Sequence, residues 1–171
     1  MAPPELVTRT APVVSNMNIT KSSRVHIGPK FVSVTQNVEN TELVKGLNES
    51  WYFQRDDWQA MPPYDTKYLS LPVHYVVIGH SGASKCNKTR YCIESMLAVQ
   101  EDHLRRDFDD IGPNFLVGGE GTVFEGRGGN VIGAMIKGWN SKSISIMFLG
   151  DYNIDKTDEI QFVHVRALLE Q

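Results

Sequence analysis

Apolar and polar residues alternate in patterns that predict several β-strands after the first fifty residues. The strongest apolar run, residues 73–78, is too short for a buried helix and rich in β-branched side chains. It therefore predicts a central strand covered on both faces. Residues 144–149 predict a second strand, and residues 131–136 predict a further one. Two β-rich runs, 114–117 and 122–125, flank a glycine-rich turn and predict a hairpin.

Two segments have the 3.6-residue period of amphipathic helices. Residues 89–107 predict a helix, because apolar side chains recur there at i, i+3 and i+4. The buried face of this helix is predicted to contain Ile93, Met96, Leu97, Gln100 and Leu104. A second helix is predicted to begin near residues 157–159, where a threonine and two acids suit a helix N-terminus. Its buried stripe is predicted to be Ile160, Val163, Ala167 and Leu168.

The run at residues 73–78 leads into Gly79, His80 and Ser81, which would stand at the carboxyl end of the strand. Mixed α/β sheets usually place their ligand sites at this edge. His80 has two interpretations: it contacts a ligand at the floor of a groove, or it is a packed and hydrogen-bonded structural residue. His103, on the face of the first helix near Leu104, is predicted to be structural.

Composition and charge exclude several classes of protein. The chain has 171 residues, 41% hydrophobic and 22% charged, with a net charge of −3. These values are typical of one principal globular domain and give no electrostatic reason to expect nucleic acid. No apolar run approaches the roughly 20 residues that span a bilayer. The first residues lack a cationic start followed by an apolar core, so we expect a cytoplasmic chain, with membrane anchoring left to a longer isoform.

Residues 1–50 form a polar arm in which Phe31 is the only aromatic residue. Such a segment cannot bury enough apolar surface to offset its chain entropy, so the arm is predicted to be disordered. The folded domain is predicted to occupy residues 51–171.

Within the arm, residues 25–38 are rich in β-formers, low in charge and contain Gln and Asn, a composition that favours cross-β stacking. Val25, His26, Ile27 and Gly28 resemble the core of the RIP-homotypic-interaction-type motif, which drives amyloid-like signalling assemblies. Pro29 departs from that pattern, because it cannot donate to a strand ladder, and Phe31 replaces a polar residue. The arm is therefore either a self-assembly segment or only a linker.

Several blocks after residue 50 together resemble the peptidoglycan recognition protein family. The resemblance covers roughly residues 51–171. With the motif in the arm, the chain looks like an insect long-type, intracellular member, most similar to the LA type. The blocks, in order, are Arg55-x-x-Trp58-x-Ala60-x-Pro62, Pro72-Val73, Cys86-x5-Cys92, Ile111-Gly112-Pro113-Asn114-Phe115, Gly118-Gly119-Glu120-Gly121, Phe124-Glu125-Gly126-Arg127-Gly128 and Lys137-Gly138-Trp139-Asn140.

The resemblance implies a fold related to phage amidases, an α/β fold with a mixed central β-sheet flanked by helices. This agrees with the order of elements predicted above. It also implies a disulfide between Cys86 and Cys92, although a reducing cytosol would work against it. A C-terminal block of the family lies beyond the end of this sequence, so we expect one wall of the groove to be missing.

Amidases of this family hold Zn²⁺ through two His and one Cys and use an additional Tyr near the hydrolytic water. In this chain Gly79 stands at the first zinc-ligand position and Pro113 at the Tyr position. Glycine has no donor atom for zinc, which needs three protein ligands and an open position for peptide-like hydrolysis. We therefore expect no metal, no other cofactor and no amidase activity.

Five residues at positions of the family's groove are candidates for ligand binding. Met135 stands where a groove His is usual, and Gly129 where binders of diaminopimelate-type peptidoglycan usually carry Trp. These changes predict weak or absent binding of a peptidoglycan muropeptide. The candidates are His80, Ser81, Arg127, Trp139 and Asn140.

These observations favour a non-catalytic protein of innate immune signalling. The domain would bind a ligand or pair with related peptidoglycan recognition receptors, and the arm would assemble with an adaptor of the Imd type. The alternative is a zinc-dependent N-acetylmuramoyl-L-alanine amidase, or a decoy that binds peptidoglycan.

Overall fold

The computed structural model describes residues 50–170, in which two α-helices cover the faces of a five-stranded sheet. The predictions for the arm, the motif around residues 25–38 included, lie outside the described residues. Short 3₁₀ turns, Arg55–Trp58 and Asn140–Lys142, precede the first long connection and the last strand. The main elements are β1 (Tyr52–Phe53), β2 (Tyr75–His80), α1 (Thr89–Arg105), β3 (Phe115–Val117), β4 (Val123–Glu125), β5 (Ser143–Phe148) and α2 (Glu159–Leu169).

The strands lie in the order β1-β4-β3-β5-β2. Three pairs are parallel, namely β1 with β4, β3 with β5, and β2 with β5, whereas the hairpin strands β3 and β4 are antiparallel. The α/β fold with a mixed central sheet is therefore confirmed. The hairpin closes through a hydrogen bond from the Gly118 N–H to the Thr122 carbonyl, and Gly121 takes a φ of 89°, which favours glycine.

The strand predicted at residues 73–78 exists as β2, but its predicted central position is wrong. Within residues 50–170, β2 is hydrogen-bonded to β5 alone and forms one edge of the sheet. Val76 and Val77 are nevertheless almost fully buried, because groups on both faces of the sheet cover their side chains. An apolar run thus indicates that both faces of a strand are buried, but it does not indicate whether the strand lies at the edge or in the centre of the sheet.

Residues 131–136 were predicted to form a strand, and this prediction is wrong. Only Val131 forms a bridge, with Tyr68, and the rest of the segment is irregular. Its backbone groups bond singly to separate parts of the chain: the Ile132 N–H donates to the Lys67 carbonyl and the Ala134 N–H to the Gly112 carbonyl. Since no single partner strand runs alongside, no ladder forms.

Helix α1 lies where the sequence predicted it and ends two residues earlier. Met96 and Gln100 are buried as predicted, whereas the predicted Ile93, Leu97 and Leu104 are only partly buried. Cys92, which the pattern omitted, is fully buried. The helix packs against one face of the sheet, in a cluster that includes Trp58, Ile111, Leu116 and Phe124.

Helix α2 covers the opposite face, but its predicted stripe is partly wrong. Leu168 is buried, whereas Ile160 is 41% exposed and Val163 is 51% exposed. The buried turn instead carries Gln161, whose Nε2 donates to the Gly118 carbonyl and to the Tyr152 hydroxyl at 2.9 and 2.8 Å. These bonds satisfy the amide in the interior and fix which side of the helix faces the sheet.

Cys86 and Cys92 form the disulfide that the family resemblance implied. The Gly119 N–H donates to the Cys86 carbonyl at 2.8 Å, so this small loop is joined to the hairpin turn. None of the helices within residues 50–170 is long and apolar enough to cross a bilayer.

Candidate functional site

One face of β2 forms the floor of the candidate groove. Side chains alternate along a strand, so Tyr75, Val77 and Gly79 share this face. The loop between β4 and β5, residues 126–142, lies over it. Trp139 meets Tyr75 edge-on, with ring centroids 5.2 Å apart, at the beginning of the strand. The floor therefore has an aromatic end at Tyr75 and Trp139 and a glycine end at Gly79.

Met135 covers the glycine end of the floor. A Cβ atom placed on Gly79 would lie 3.4 Å from Met135 Cε and 3.8 Å from its Sδ. A Cβ at residue 79 would therefore be accommodated in ordinary van der Waals contact with the Met135 thioether. Met135 borders the space that a longer side chain at position 79 would enter.

Asn140 holds the β4–β5 loop in this position. Its Oδ1 accepts hydrogen bonds from the backbone N–H groups of Met135 and Ile136, at 3.0 and 2.8 Å. The neighbouring Ser143 Oγ donates to the Trp139 carbonyl at 2.8 Å. The Oδ1 of Asn140 is thus used within the loop. Its Nδ2 makes no hydrogen bond within residues 50–170.

Arg127 lies away from this groove and braces the start of the loop. Its Nε donates to the Ile111 carbonyl at 2.7 Å, and its Nη1 to the Ile132 carbonyl at 3.2 Å. The third nitrogen, Nη2, donates to the Asp110 carbonyl at 3.4 Å. Arg127 also lines a separate cleft of about 160 Å³, together with Arg55 and Asp110. Its hydrogen bonds are those of a residue that joins segments of backbone.

His80 and Ser81 join the carboxyl ends of β2 and β5. His80 alternates to the face opposite Gly79, where its ring meets Tyr152 edge-on. Its Nδ1 lies 3.2 Å from the Gly150 carbonyl oxygen and 3.8 Å from Asp151 Oδ1. Ser81 Oγ accepts from the Gly150 N–H at 3.0 Å. Both residues are hydrogen-bonded within the fold, as expected if His80 is a structural residue.

The structure thus separates the five candidates into three places. Trp139 and Asn140 lie together beside the start of β2, whereas His80 and Ser81 lie at its end, roughly 17 Å away along a strand of six residues. Arg127 lies near Ile111 and Ile132. Contact of each residue with a ligand stays a prediction, and only Trp139 and Asn140 border the groove floor.

The residues present do not fit the zinc site of amidases. Gly79 offers no donor, and the Met135 thioether lies beside it. Pro113 is buried and offers only its carbonyl, which accepts from the Arg127 N–H at 3.0 Å. Across the described part of the chain, no group of three or more His, Cys, Asp or Glu residues is placed to hold a metal ion. Within residues 50–170, the groove therefore lacks the ligands on which zinc chemistry would depend.

Asn114, which the sequence showed only as part of a family block, fixes the position of the loop. It is fully buried, and its Nδ2 donates to the carbonyls of Gly128 and Val131 at 2.7 and 2.6 Å. Its Oδ1 accepts from the Ser145 N–H and Oγ at 2.9 and 2.7 Å. One amide thereby joins the start of β3, the β4–β5 loop and β5. An asparagine at the first position of a predicted strand was the only signal of this role.

His103 links α1 to the same block. Its Nδ1 accepts the Gly112 N–H at 2.8 Å, and its ring stacks on Phe108. Burial lowers the pKa of His103, and the nearby Arg106 cation lowers it further. Neutral imidazole is therefore the form that the fold favours. Three other charged groups have weaker effects on the pKa of His103: Asp102 and Asp110 raise it, and Arg127 lowers it.

We expect acidification to weaken the fold through His103. Its pKa is lower in the folded chain than the ordinary 6.5, so the unfolded chain binds more protons as pH falls. This contribution to stability is present above the ordinary pKa and is lost as pH falls through the folded value. Urea unfolding between about pH 7.5 and about pH 5 should show a smaller loss for His103→Gln than for the unchanged chain. The exposed His74→Gln is the matched control, and an equal slope in all three proteins would contradict the assignment.

The sequence of this chain is similar to those of known proteins. The chain matches the family described as N-acetylmuramoyl-L-alanine amidase over residues 69–171. It is 39% identical over 116 residues to a peptidoglycan recognition protein of Trichoplusia ni, covering 67% of this chain and 64% of that protein. It is 36% identical over 127 residues to peptidoglycan-recognition protein LB of Drosophila melanogaster, covering 73% of this chain and 55% of the relative. The chain thus spans less than two thirds of the length of these relatives.

Solved structures of peptidoglycan recognition proteins are also similar to this chain. Peptidoglycan recognition protein LE in complex with tracheal cytotoxin, a monomeric diaminopimelic acid-type peptidoglycan, superposes with a TM-score of 0.67 at 31% identity. That match covers 71% of this chain and 73% of the other. The ectodomain complex of peptidoglycan recognition proteins LCa and LCx bound to tracheal cytotoxin has a TM-score of 0.67 at 36% identity. It covers 70% of this chain and 73% of that chain.

Proposed function

This chain belongs to the peptidoglycan recognition protein family, and on that premise we propose that it is a non-catalytic receptor or regulator in the innate immune sensing of bacteria. Its domain recognises a ligand or a partner receptor and cuts no bond. Its arm passes the signal on by cross-β assembly with an adaptor of the Imd type.

The observation that carries this proposal is the pairing of Gly79 with Met135. In an amidase of the family, position 79 would supply a zinc ligand, and the metal would activate water and polarise the scissile carbonyl. Here that position has no donor atom, and a flexible thioether lies over it. An apolar, polarisable surface suits contact with a ligand or a partner and gives no means of activating water.

Two relatives indicate what the groove would recognise. The LE structure and the LCa–LCx complex each contain tracheal cytotoxin, and the second contains two recognition proteins together. We propose the same classes of partner for this chain: a diaminopimelate-type muropeptide, bound weakly or not at all, and a related recognition receptor. Trp139 would offer its ring to the sugar or peptide, and the Nδ2 of Asn140 would donate to a carbonyl of the stem peptide.

Amidase activity remains the second candidate, because the family match carries the description of an amidase. It requires a zinc ligand in place of Gly79. The proposal of a non-catalytic function is therefore the one that the residues of the groove support.

The signalling part of the proposal predicts that the arm assembles through Val25 and Ile27. We expect the purified 171-residue chain to form fibres that raise thioflavin-T fluorescence, because its β-branched side chains interdigitate in a dry cross-β interface. Val25→Asp with Ile27→Asp should abolish the signal, since charge repeated at every layer of a stack repels itself. The measurement is fluorescence against time, with electron microscopy of the product.

The matched control is Val13→Asp with Val14→Asp, the same change at an arm site outside the motif. Fibres in the control and none in the Val25 and Ile27 variant are the expected pair of results. If the unchanged chain never assembles, or if both variants assemble equally, the arm is only a linker and the signalling proposal fails.

A further inference from the structure

The disulfide between Cys86 and Cys92 is buried beneath the turn of the β3–β4 hairpin. Cys86 is 5% exposed and Cys92 is fully buried, because both belong to the cluster that packs α1 on the sheet. The Cα of Gly118 lies directly against the sulfurs: a Cβ atom placed on it would lie 2.7 Å from Cys92 Sγ and 3.7 Å from Cys86 Sγ. The backbone of the turn therefore covers the disulfide.

Hydrogen bonds hold this turn against the short loop that the disulfide closes. The Gly119 N–H donates to the Cys86 carbonyl at 2.8 Å. Thr89, the first residue of α1, donates from its Oγ1 to Glu120 Oε1. Thr122 Oγ1 donates to the same carboxylate oxygen at 3.3 Å. The turn is thus bonded to the loop at two successive residues, 119 and 120.

Helix α2 holds the turn from the opposite face of the sheet. The Gln161 amide donates to the Gly118 carbonyl at 2.9 Å, and His164 Nδ1 lies 2.8 Å from the Gly121 carbonyl oxygen. A carbonyl oxygen only accepts, so Nδ1 of His164 carries the proton in this contact. Both ends of the turn are therefore fixed, and moving it off the sulfurs breaks several hydrogen bonds.

Reduction of a disulfide requires direct access to one of its sulfurs. A thiolate of the reductant attacks one sulfur, forms a mixed disulfide with it and expels the other cysteine as a thiolate. A second thiolate of the reductant then attacks the first at its sulfur and expels the remaining cysteine. The two electrons come from the reductant, which becomes a disulfide, and each expelled cysteine gains a proton.

The fold opposes both parts of the first step. An attacking thiolate does not reach sulfurs that are buried to this extent. A thiolate expelled at Cys92 would also form without water to stabilise its charge, because this residue is fully buried. Reduction therefore needs a conformation in which the sulfurs are uncovered.

We propose that the hairpin turn, residues 118–121, is a gate over the Cys86–Cys92 disulfide, and that a thiol reductant reaches the bond only when the turn opens. The bond therefore persists in a reducing medium such as the cytosol while the turn is closed. The redox state of the chain then follows the position of the turn. The inference goes beyond the proposed function and does not depend on it.

Reduction of the full 171-residue chain by excess dithiothreitol, a dithiol that supplies both thiolates, tests this inference. The sequence contains two cysteines, both in this bond, so alkylation of free thiols followed by mass spectrometry counts the reduced chains. We expect the folded chain to be reduced at least about a hundredfold more slowly than the chain unfolded in urea. Below the unfolding transition the rate should hardly vary with urea, because a local opening exposes little surface.

Thr89→Val tests the role of the turn, because it removes the hydroxyl that bonds to Glu120 and keeps the volume of the side chain. We expect reduction to become about tenfold faster, since the turn loses one hydrogen bond to a carboxylate. Thr89→Ser keeps the hydroxyl and should retain the slow rate. Thr66→Val, the same change in the connection between β1 and β2, is the matched control and should leave the rate unchanged.

Three results would overturn the inference. Equal rates in the folded and unfolded chains would mean that the sulfurs are accessible in the fold. A rate that rises with urea as steeply as the unfolded fraction would mean that global unfolding, and not the turn, controls access. A rate for Thr89→Val equal to that of the unchanged chain would mean that the turn is not the gate.

Discussion

Replacing Asn114 by alanine is expected to lower the free energy of unfolding by about 3–5 kcal/mol. The side chain is fully buried and makes four hydrogen bonds, two to carbonyls of the β4–β5 loop and two with Ser145. Alanine would leave the carbonyls of Gly128 and Val131 without their partner. Each buried polar group left without a partner costs about 1–3 kcal/mol, which places the sum near the upper end for a single substitution.

Urea unfolding followed by tryptophan fluorescence measures this effect. Asn153→Ala is the matched control, because Asn153 is exposed and its amide bonds only to the nearby Asp151. That change should stay within about 0.5 kcal/mol. A loss below about 1 kcal/mol for Asn114→Ala would mean that water replaces the amide, and that the loop does not depend on it.

Most strands and helices of the domain could be predicted because the side chains that they bury recur at regular intervals in the sequence. The strands predicted at residues 73–78, 114–117, 122–125 and 144–149 form within two residues of these bounds, and the helix predicted from residue 89 forms as Thr89–Arg105. The position of β2 at the edge could not be predicted, because edge and central strands have the same apolar run when both faces are covered. The face of α2 was misassigned because Gln161 is buried through two side-chain hydrogen bonds, which hydrophobic periodicity does not register.

The sequence indicated which residues belong to the groove, but it did not indicate how these residues contact one another. Family motifs placed Gly79, Pro113 and Trp139 at positions of interest from the sequence alone. The contact of Met135 with Gly79 depends on the irregular course of the β4–β5 loop, which no local pattern encodes. The inward bonds of Asn140 depend on the same course. Tertiary contacts of a loop follow from the whole fold, and this limits prediction from one sequence.

The second large effect concerns catalysis: the chain should release no stem peptide from peptidoglycan, even with zinc in excess. Gly79 supplies no donor, and the described residues contain no group of three ligands that could replace the family's set. Without the metal, the pKa of water stays far above the value near 7 that zinc-bound water can reach, and the amide carbonyl is not polarised. We expect a rate equal to that of the uncatalysed reaction, many orders of magnitude below that of an active amidase.

Gly79→His combined with Met135→Ala is the informative variant. It supplies one imidazole and removes the thioether beside it. A single ligand does not make a three-ligand site, so this variant should also bind no stoichiometric zinc and remain inactive. Acquired activity in it would mean that the remaining ligands are present and that Gly79 alone is responsible for the loss of catalysis.

The most direct test of recognition without hydrolysis is one incubation of the full chain with excess zinc and a diaminopimelate-type muropeptide, analysed by mass spectrometry. A family amidase is run in parallel to show that the substrate can be cut. We predict that the muropeptide mass stays intact with this chain, and that the protein, after removal of free metal, carries no zinc in stoichiometric amount. Release of stem peptide together with one bound zinc per chain would contradict the account.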